Sequence, residues 1–388
     1  MSVVAIVRDV GPLHHNVLHV LEDHPQVLWG ALLAFGIVVL LTPAVGRMAR
    51  RFGVVDSPGG RRVNVRPVPR LGGVALFLGI FVPALAFVHL GRETRGLLIG
   101  AAVAVTVGAV DDFRGLRWFE KLAGQIAAAV IAVGFGIWVN RFTFPFIGIH
   151  VLPWWVGGPL TVIWIVAIMN MFNFLDGMDG LAAGVAAIAG VTFSVIALSL
   201  EKPDAAVISA IVFGACLGFL RHNFYPARVF MGDSGALLLG YVLAAVSVMG
   251  LLKTAATVAL FFPLLVLAVP IADTTFVVLR RLKHGESPFA GDQAHLHHRF
   301  LRRGFSQPRA AVTIWIWCLS LAAAALATRF VPFRAGGVWH LWPTVAAAAI
   351  GLVALAVSIY VVYVLEIVKI GNPIQKRRAA DDPLRKSA

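Results

Sequence analysis

The sequence predicts an all-α polytopic membrane protein of about eleven transmembrane helices, and three observations carry that reading. Hydrophobic residues make up 59% of the 388-residue chain and charged residues 13%, against ~25% charged in a soluble domain. A water-facing globule of this size would lack a surface. Apolar runs long enough to cross a ~30 Å hydrocarbon core recur along the chain, and the mean hydropathy is +0.85. The basic residues are distributed asymmetrically between successive loops, as membrane topology requires. The same figures exclude disorder, a collagen-like fibre and a disulfide scaffold. Cys216 and Cys318 sit inside apolar runs as small core residues.

Taken in order, residues 1–26 carry His14, His15, His19, Glu22, Asp23 and His24. They lack the apolar h-region and cleavage site of a signal peptide, so an uncleaved extracytoplasmic segment is expected. Spans are predicted near 27–46, 71–90, 96–110, 122–139, 157–174, 181–200, 205–220, 235–252, 255–279, 311–328 and 342–365. The third is short, and the ninth is expected to bend at Pro263 or Pro270. This defines a transmembrane domain over 27–365, with loops at 47–70, 111–121, 175–180, 221–234 and 280–310, and a basic tail at 366–388.

An odd number of spans puts the termini on opposite sides. The loops named above and the tail hold 25 of the 33 basic residues, leaving Arg8, Arg92, Arg95, Arg141, Lys202, Lys253, Arg329 and Arg334 on the other face. The richer side is expected in the cytoplasm, with the N-terminus outside. Orientation and attraction to anionic headgroups account for the net charge of +14, so no nucleic-acid partner is expected. Thirteen of the 19 acids fall on the same side, several at span ends. Orientation gives no reason for that.

Four stretches place polar chemistry where a membrane protein avoids it. At Ala109–Arg117, adjacent Asp111 and Asp112 read either as a solvated helix end or as paired carboxylates for a divalent metal or a basic partner. At Asn170–Gly180, Asn170, Asn173, Asp176 and Asp179 recur every three residues and so stay near one helical face. Gly177 and Gly180 permit a tight turn, and the absent alternating pattern and closing Glu exclude an EF-hand loop. This series defines a site. At His222–Gly240, Asp233 lies between Gly232 and Gly235 at a helix start, as a cap or as part of a phosphate cradle. Phe230 just before it is either packing or a platform for a base. At Ser287–Phe305, His295, His297 and His298 alternate with Arg299, Arg302 and Arg303. Zinc-type spacing is missing, and the mixture favours an anion such as a diphosphate. Asp273, an isolated acid near the end of the ninth span, is placed to pair with a base or hold this loop.

At least five carboxylates, a basic histidine cluster and glycine-bounded turns thus share one membrane face. Hard oxygens suit magnesium, and phosphoryl transfer needs positioning and charge neutralisation more than covalent chemistry. The expected reaction is metal-assisted phosphoryl transfer between a soluble cytoplasmic reactant and a lipid.

Five motifs, in order, resemble the polyprenyl-phosphate N-acetylhexosamine-1-phosphate transferases: PRLGG at Pro69–Gly73, DDFRGL at Asp111–Leu116, NFLDGMDGLA at Asn173–Ala182, ARVFMGDSG at Ala227–Gly235 and HLHH at His295–His298. The resemblance covers roughly residues 30–370. It implies a bacterial inner-membrane homodimer that joins a sugar 1-phosphate from a UDP-sugar to polyprenyl phosphate and releases UMP, with Mg2+, which Mn2+ could replace. Asp233 would bind the metal, with Asp111 and Asp112 beside it and the lipid phosphate. Asp111, Asp112, Asp176 and Asp179 would form the catalytic acids. Lys121, followed one turn on by Gln125, would hold a phosphate, Asn173 would shape the nucleotide pocket and Phe230 would stack on uracil. His295, His297, His298 and Arg299 would bind the diphosphate or sugar, with Asn170, Asp273 and Arg70 in supporting places.

The loop ending in HLHH and the eleven spans look like the branch that uses UDP-N-acetylglucosamine and undecaprenyl phosphate, feeding cell-envelope polysaccharide. The phospho-N-acetylmuramoyl-pentapeptide transferases of peptidoglycan synthesis are the alternative, but their first loop is Thr-Pro-Thr-rich where this chain reads RPVPRLGG, Arg66–Gly73. A cation-coupled transporter would carry acids near the bilayer midplane and broken helices, whereas these acids cluster at the cytoplasmic span ends, and no inverted repeat is seen.

Overall fold

The computed structural model describes residues 23–57, 67–144, 148–252, 261–283, 285, 295–331, 334–335 and 338–364. Most of the expected N-terminal segment, residues 58–66 of the first loop, residues 284 and 286–294 of the large loop, and the basic tail lie outside the described residues.

Within the described residues each predicted span contains helix; residues 255–260 of the ninth span and residue 365 of the last lie outside them. In chain order the helices are α1 (Gln26–Arg51), α2 (Gly72–Phe87), α3 (Arg92–Arg114), α4 (Trp118–Gly134), α5 (Trp154–Leu175), α6 (Leu181–Ser199), α7 (Pro203–Asn223), α8 (Gly232–Val246), α9 (Phe261–Val266), α10 (Ala268–Lys283), α11 (Leu296–Arg302), α12 (Gln307–Phe330) and α13 (Leu341–Val364). Three antiparallel two-stranded ribbons join them: β1 (Val55–Asp56) with β2 (Val68–Pro69), β3 (Arg141–Phe144) with β4 (Gly148–Val151), and β5 (Arg334–Ala335) with β6 (Val338–Trp339). Among the described residues, eight helices are long and apolar enough to cross a membrane: α1, α3, α5, α6, α7, α8 with its extension, α12 and α13. The chain is a predominantly helical, polytopic membrane protein.

Departures from the expected boundaries have local causes. The short third span lengthens to Arg92–Arg114 and stops where Gly115 turns left-handed, at φ 69°. The fourth starts earlier, at Trp118, where the Glu120 carboxylate accepts the Arg117 N–H at 2.8 Å. It also ends earlier, because Gly136 at φ 102° redirects the chain into β3. The ninth span is broken at Leu267, between the two prolines. Pro270 has no N–H to offer the Val266 carbonyl and its ring crowds that oxygen, so α9 ends there and α10 starts afresh. Beyond Val246, α8 runs into a π-helical turn, Ser247–Leu252. The Ser247 hydroxyl takes the Trp164 indole N–H at 3.1 Å and donates to the Ala244 carbonyl at 2.7 Å, disturbing the regular ladder.

The bundle is built around α8, which packs against α2, α3, α4, α5, α6 and α7. Its apolar window is 94% buried, against 11% for α13, which makes α8 the axis and α13 an outer wall. Backbone meets backbone at the first turn of α8. A Cβ on Gly73 of α2 would overlap the Gly235 amide, and one on Gly108 of α3 would overlap Asp233 and Ser234 backbone. The glycines of the PRLGG and GDSG motifs thus serve close packing. Exposed aromatics ring both ends of the bundle: Trp29, Trp154, Trp155 and Trp342 at one, Phe52, Phe113, Trp118, Phe119, Tyr360 and Tyr363 at the other. Such belts mark the two membrane surfaces.

Candidate active site

The site forms at the Phe52–Tyr363 end, where α3, α5 and α7 finish and α4, α6 and α8 begin. Two turns are clasped there. Asn223 at the end of α7 accepts the Gly180 N–H at 3.1 Å and donates to the Val229 carbonyl at 3.0 Å. Asp179 accepts the Ala227 N–H at 2.9 Å. The second turn is pinned to the PRLGG segment as well. Phe230 N–H bonds the Pro69 carbonyl, and the Gly72 and Gly73 N–H groups bond the Phe230 and Met231 carbonyls, all at 2.9 Å. Motifs far apart in sequence are therefore one backbone unit.

Lys121 is the hub. Its ammonium is within 3.1 Å of Asp111 Oδ2 and 3.2 Å of Asn173 Oδ1, and it is paired closely with Asp233 Oδ2. Asn173 Nδ2 donates to the other Asp233 oxygen at 3.0 Å. Asp111 Oδ1 also accepts the Leu116 N–H at 2.6 Å. One turn beyond Lys121, Gln125 and Asn170 exchange hydrogen bonds at 2.8 and 3.3 Å, which locks α4 to α5 below the hub.

Beside the hub opens a cleft of about 220 Å³ lined by Asp56, Arg70, Asn173, Asp176, Gly177, Met178, Asp179, Asn223, Phe230, Gly232, Asp233, His298 and Gln307. Arg70 pairs with Asp56 at 3.2 Å. Burial first, then the negative charges of Asp233 and Asp112, hold the Asp176 carboxyl well above the ordinary carboxylate range, and Arg70 opposes this. Burial raises Asp179 too, against its bond from Ala227.

The histidine segment is held by Asp273, whose oxygens accept the Leu296 N–H at 2.8 Å and meet His295 Nδ1 at 3.1 Å. A ladder of rings follows: His295 stacks on Phe174 and on His297, and His297 leans on His298 at 4.2 Å. The His297 ring fills the space a side chain on Gly177 would need. Burial holds His297 well below the ordinary histidine range, so the ring is neutral.

Placed against the sequence expectations, Asp176, Asp179, Asp233, Asn173, Phe230, Arg70 and His298 line the cleft, and Asp111 and Lys121 reach it through Asp233. Four residues are set differently from the contact roles expected of them. Asp112 points at the first turn of α8, His295 is clamped by Asp273, His297 is buried against Gly177, and the Arg299 guanidinium lies 4.0 Å over the Phe276 ring. Asp56, Asn223 and Gln307 belong to the cleft and did not stand out in the sequence. Asn223, like Asp111, lies within three residues of a predicted span end, a signal that could have found it; Asp56 stands ten residues past its span, in the first loop.

Among the described residues, no group of three acidic, histidine or cysteine side chains forms a ready ligand shell. Yet Asp176, Asp179 and Asp233 share one cleft, where burial first and then the charges of Asp233 and Asp112 raise the Asp176 carboxyl. Magnesium takes one or two protein carboxylates and completes its shell with substrate phosphates and water, so the residues fit.

Fold and site together define a membrane-embedded helical bundle with an acid-lined cleft at one end. Residues 94–251 match glycosyl transferase family 4. The chain is 36% identical over 293 residues to a probable undecaprenyl-phosphate N-acetylglucosaminyl 1-phosphate transferase of Bacillus subtilis (strain 168), covering 74% of this chain and 82% of that one. It is 36% identical over 334 residues to the decaprenyl-phosphate N-acetylglucosaminephosphotransferase of Mycolicibacterium smegmatis, covering 77% and 81%. With the phospho-N-acetylmuramoyl-pentapeptide-transferase of Desulforudis audaxviator it shares 35% over 335 residues, covering 78% and 97%. The chain belongs to this family of polyprenyl-phosphate sugar-phosphate transferases.

Proposed function

We propose that the protein transfers N-acetylglucosamine 1-phosphate from UDP-N-acetylglucosamine to undecaprenyl phosphate, yielding the lipid-linked diphosphate sugar and UMP. The observation that carries this reading is the junction of Lys121 with Asp111, Asn173 and Asp233 beside an acid-lined cleft. Its place at the level of an aromatic belt suits a reaction between a soluble diphosphate and a lipid headgroup. The sugar assignment is supported by the Bacillus and Mycolicibacterium relatives, each 36% identical to this chain, and by a first loop that reads RPVPRLGG where the muramoyl-pentapeptide branch is Thr-Pro-Thr-rich.

In the reaction, an oxygen of the lipid phosphate forms a bond to the β-phosphorus of the nucleotide sugar. The bond from that phosphorus to the bridging oxygen breaks, and the oxygen leaves on UMP. A lipid phosphate monoester has its second pKa near ~6 and is mostly ionised already, so this chain's residues orient the nucleophile more than they deprotonate it. Lys121 holds and neutralises a phosphate, and Asp111 fixes the ammonium. Phe230 offers a face to uracil, and His298 and Arg70 approach the diphosphate and sugar. Asp233 and Asp176 would hold magnesium, which neutralises charge on the diphosphate. The cleft end faces the cytoplasm of a bacterial inner membrane, with eleven spans, the N-terminus outside, and the protein a homodimer.

UMP release by purified protein with undecaprenyl phosphate and magnesium tests this. Release is expected from UDP-N-acetylglucosamine and not from UDP-N-acetylmuramoyl-pentapeptide; the reverse would transfer the protein to the peptidoglycan branch. Asp233→Asn is expected to abolish release while the protein still inserts.

A further inference from the structure

We propose that Asp112 is a positioning residue: its carboxylate holds the first turn of α8 and so sets where Asp233 stands, without touching substrate or metal. The inference rests on the transferase reading for its kinetic part only.

Both oxygens of Asp112 are engaged by α8. Oδ1 accepts the Asp233 N–H at 3.0 Å, and Oδ2 accepts the Ser234 N–H at 3.1 Å and the Ser234 hydroxyl at 2.9 Å. These are the donors that a helix start leaves without intrahelical partners. The residue before the helix, Met231, has no side-chain acceptor to supply them, so the cap comes from a different helix, α3.

The position of the carboxylate has a second, independent signature. Gly232 has φ 67°, and a Cβ there would lie 2.5–2.8 Å from Oδ2, Oδ1 and Cγ of Asp112. The carboxylate occupies the room that a side chain at 232 would take. One turn earlier on α3, Gly108 gives up its own side chain to the backbone of Asp233 and Ser234. One face of α3 is therefore shaped to the start of α8.

The adjacent acid does something else. Consecutive helical residues point ~100° apart, and Asp111 accordingly turns to Lys121 and Leu116 N–H. The DD pair divides into one member at the reaction hub and one behind it. Asp112 lies outside the cleft lining, whereas Asp233 and Gly232 line it.

The experiment uses the full-length protein in detergent and compares Asp112→Asn with Asp112→Ala. Asparagine keeps a capping acceptor; alanine keeps none. Metal-free melting temperature is expected to fall in Asp112→Ala and to fall less in Asp112→Asn. The alanine variant should lose kcat by about 10–100-fold, with KM for the UDP-sugar within about two-fold, and the asparagine variant should regain most of that loss. If Asp112→Ala cannot be recovered folded, Ser234→Ala, which removes the hydroxyl's 2.9 Å bond to Asp112 and its 3.1 Å bond to the Met231 carbonyl but keeps both N–H donors to Asp112, is expected to lower both melting temperature and kcat. A carboxylate that faced the acid cluster would behave oppositely. Its removal would relieve repulsion and leave the metal-free melting temperature unchanged or raised, and asparagine would be as inactive as alanine. Either result overturns the proposal. A wild type without transferase activity would overturn the functional reading, while the melting comparison would still decide the cap.

Discussion

Asp176 is the residue whose protonation should be most visible from outside. Its carboxyl, held above the ordinary 3.8 by burial, Asp233 and Asp112, binds a proton more tightly folded than unfolded. Its contribution to stability is therefore present at low pH and is lost as pH rises from 3.8 through its raised folded value. His297 has the opposite sign: its ring stays neutral when folded, so stability falls as pH drops below the ordinary 6.5. Comparing wild type with Asp176→Asn isolates the first effect. The melting temperature of the metal-free wild type is expected to decline across that window relative to the variant, and magnesium is expected to reverse the decline by favouring the ionised form. A parallel pair of profiles would remove the case for a raised Asp176 carboxyl. The Asn170–Asp179 series was legible at this scale because four polar side chains at a fixed step inside apolar sequence have no packing explanation. The division between Asp111 and Asp112 was not, since it depends on which helix lies on each side of α3.

At the scale of elements, apolar run length located the long helices and the prolines located the break in the ninth span, while the short polar helix Leu296–Arg302 inside the histidine segment was read as loop. The ends of α3 and α4 were not legible, because polar residues continue a helix once it leaves hydrocarbon and stop it only at a suitable glycine or cap. The joint of α2, α3 and α8 was invisible for a different reason: its content is the absence of side chains. Gly108→Ala is expected to separate α3 from α8, since the added methyl would overlap Asp233 and Ser234 backbone rather than a side chain that can swing away. Overpacking of this kind costs about 1–3 kcal/mol. Reduced melting temperature with a larger proportional loss of activity than of folded protein is the expected outcome, because the displaced atoms carry Asp233.

For the molecule as a whole, the arrangement of basic residues and the location of the cleft make the same topological statement. Both native cysteines are buried, so they leave a quiet background for labelling. A cysteine placed at Glu120 is expected to be protected from a membrane-impermeant thiol reagent in intact cells, and one at His150 to react; exchange of those outcomes would invert the orientation. Composition made the membrane class legible, and five short motifs made the chemistry legible. The assembly of those motifs into one backbone unit, through Phe230, Gly72, Gly73 and Asn223, required the structure.

The central place of α8 has a consequence for biogenesis. A nascent chain that has emerged only as far as residue 225 already carries Asp111, Lys121, Asn173 and Asp176, yet the wall they are to share has no middle. Lys121 then lacks its closest acceptor, and α3 presents a bare glycine groove with an unoccupied cap. In the folded protein α8 fills that groove, receives the cap and carries Asp233. Chemistry therefore requires the chain to have reached α8, and a chain ending at residue 225 is expected to show no transferase activity.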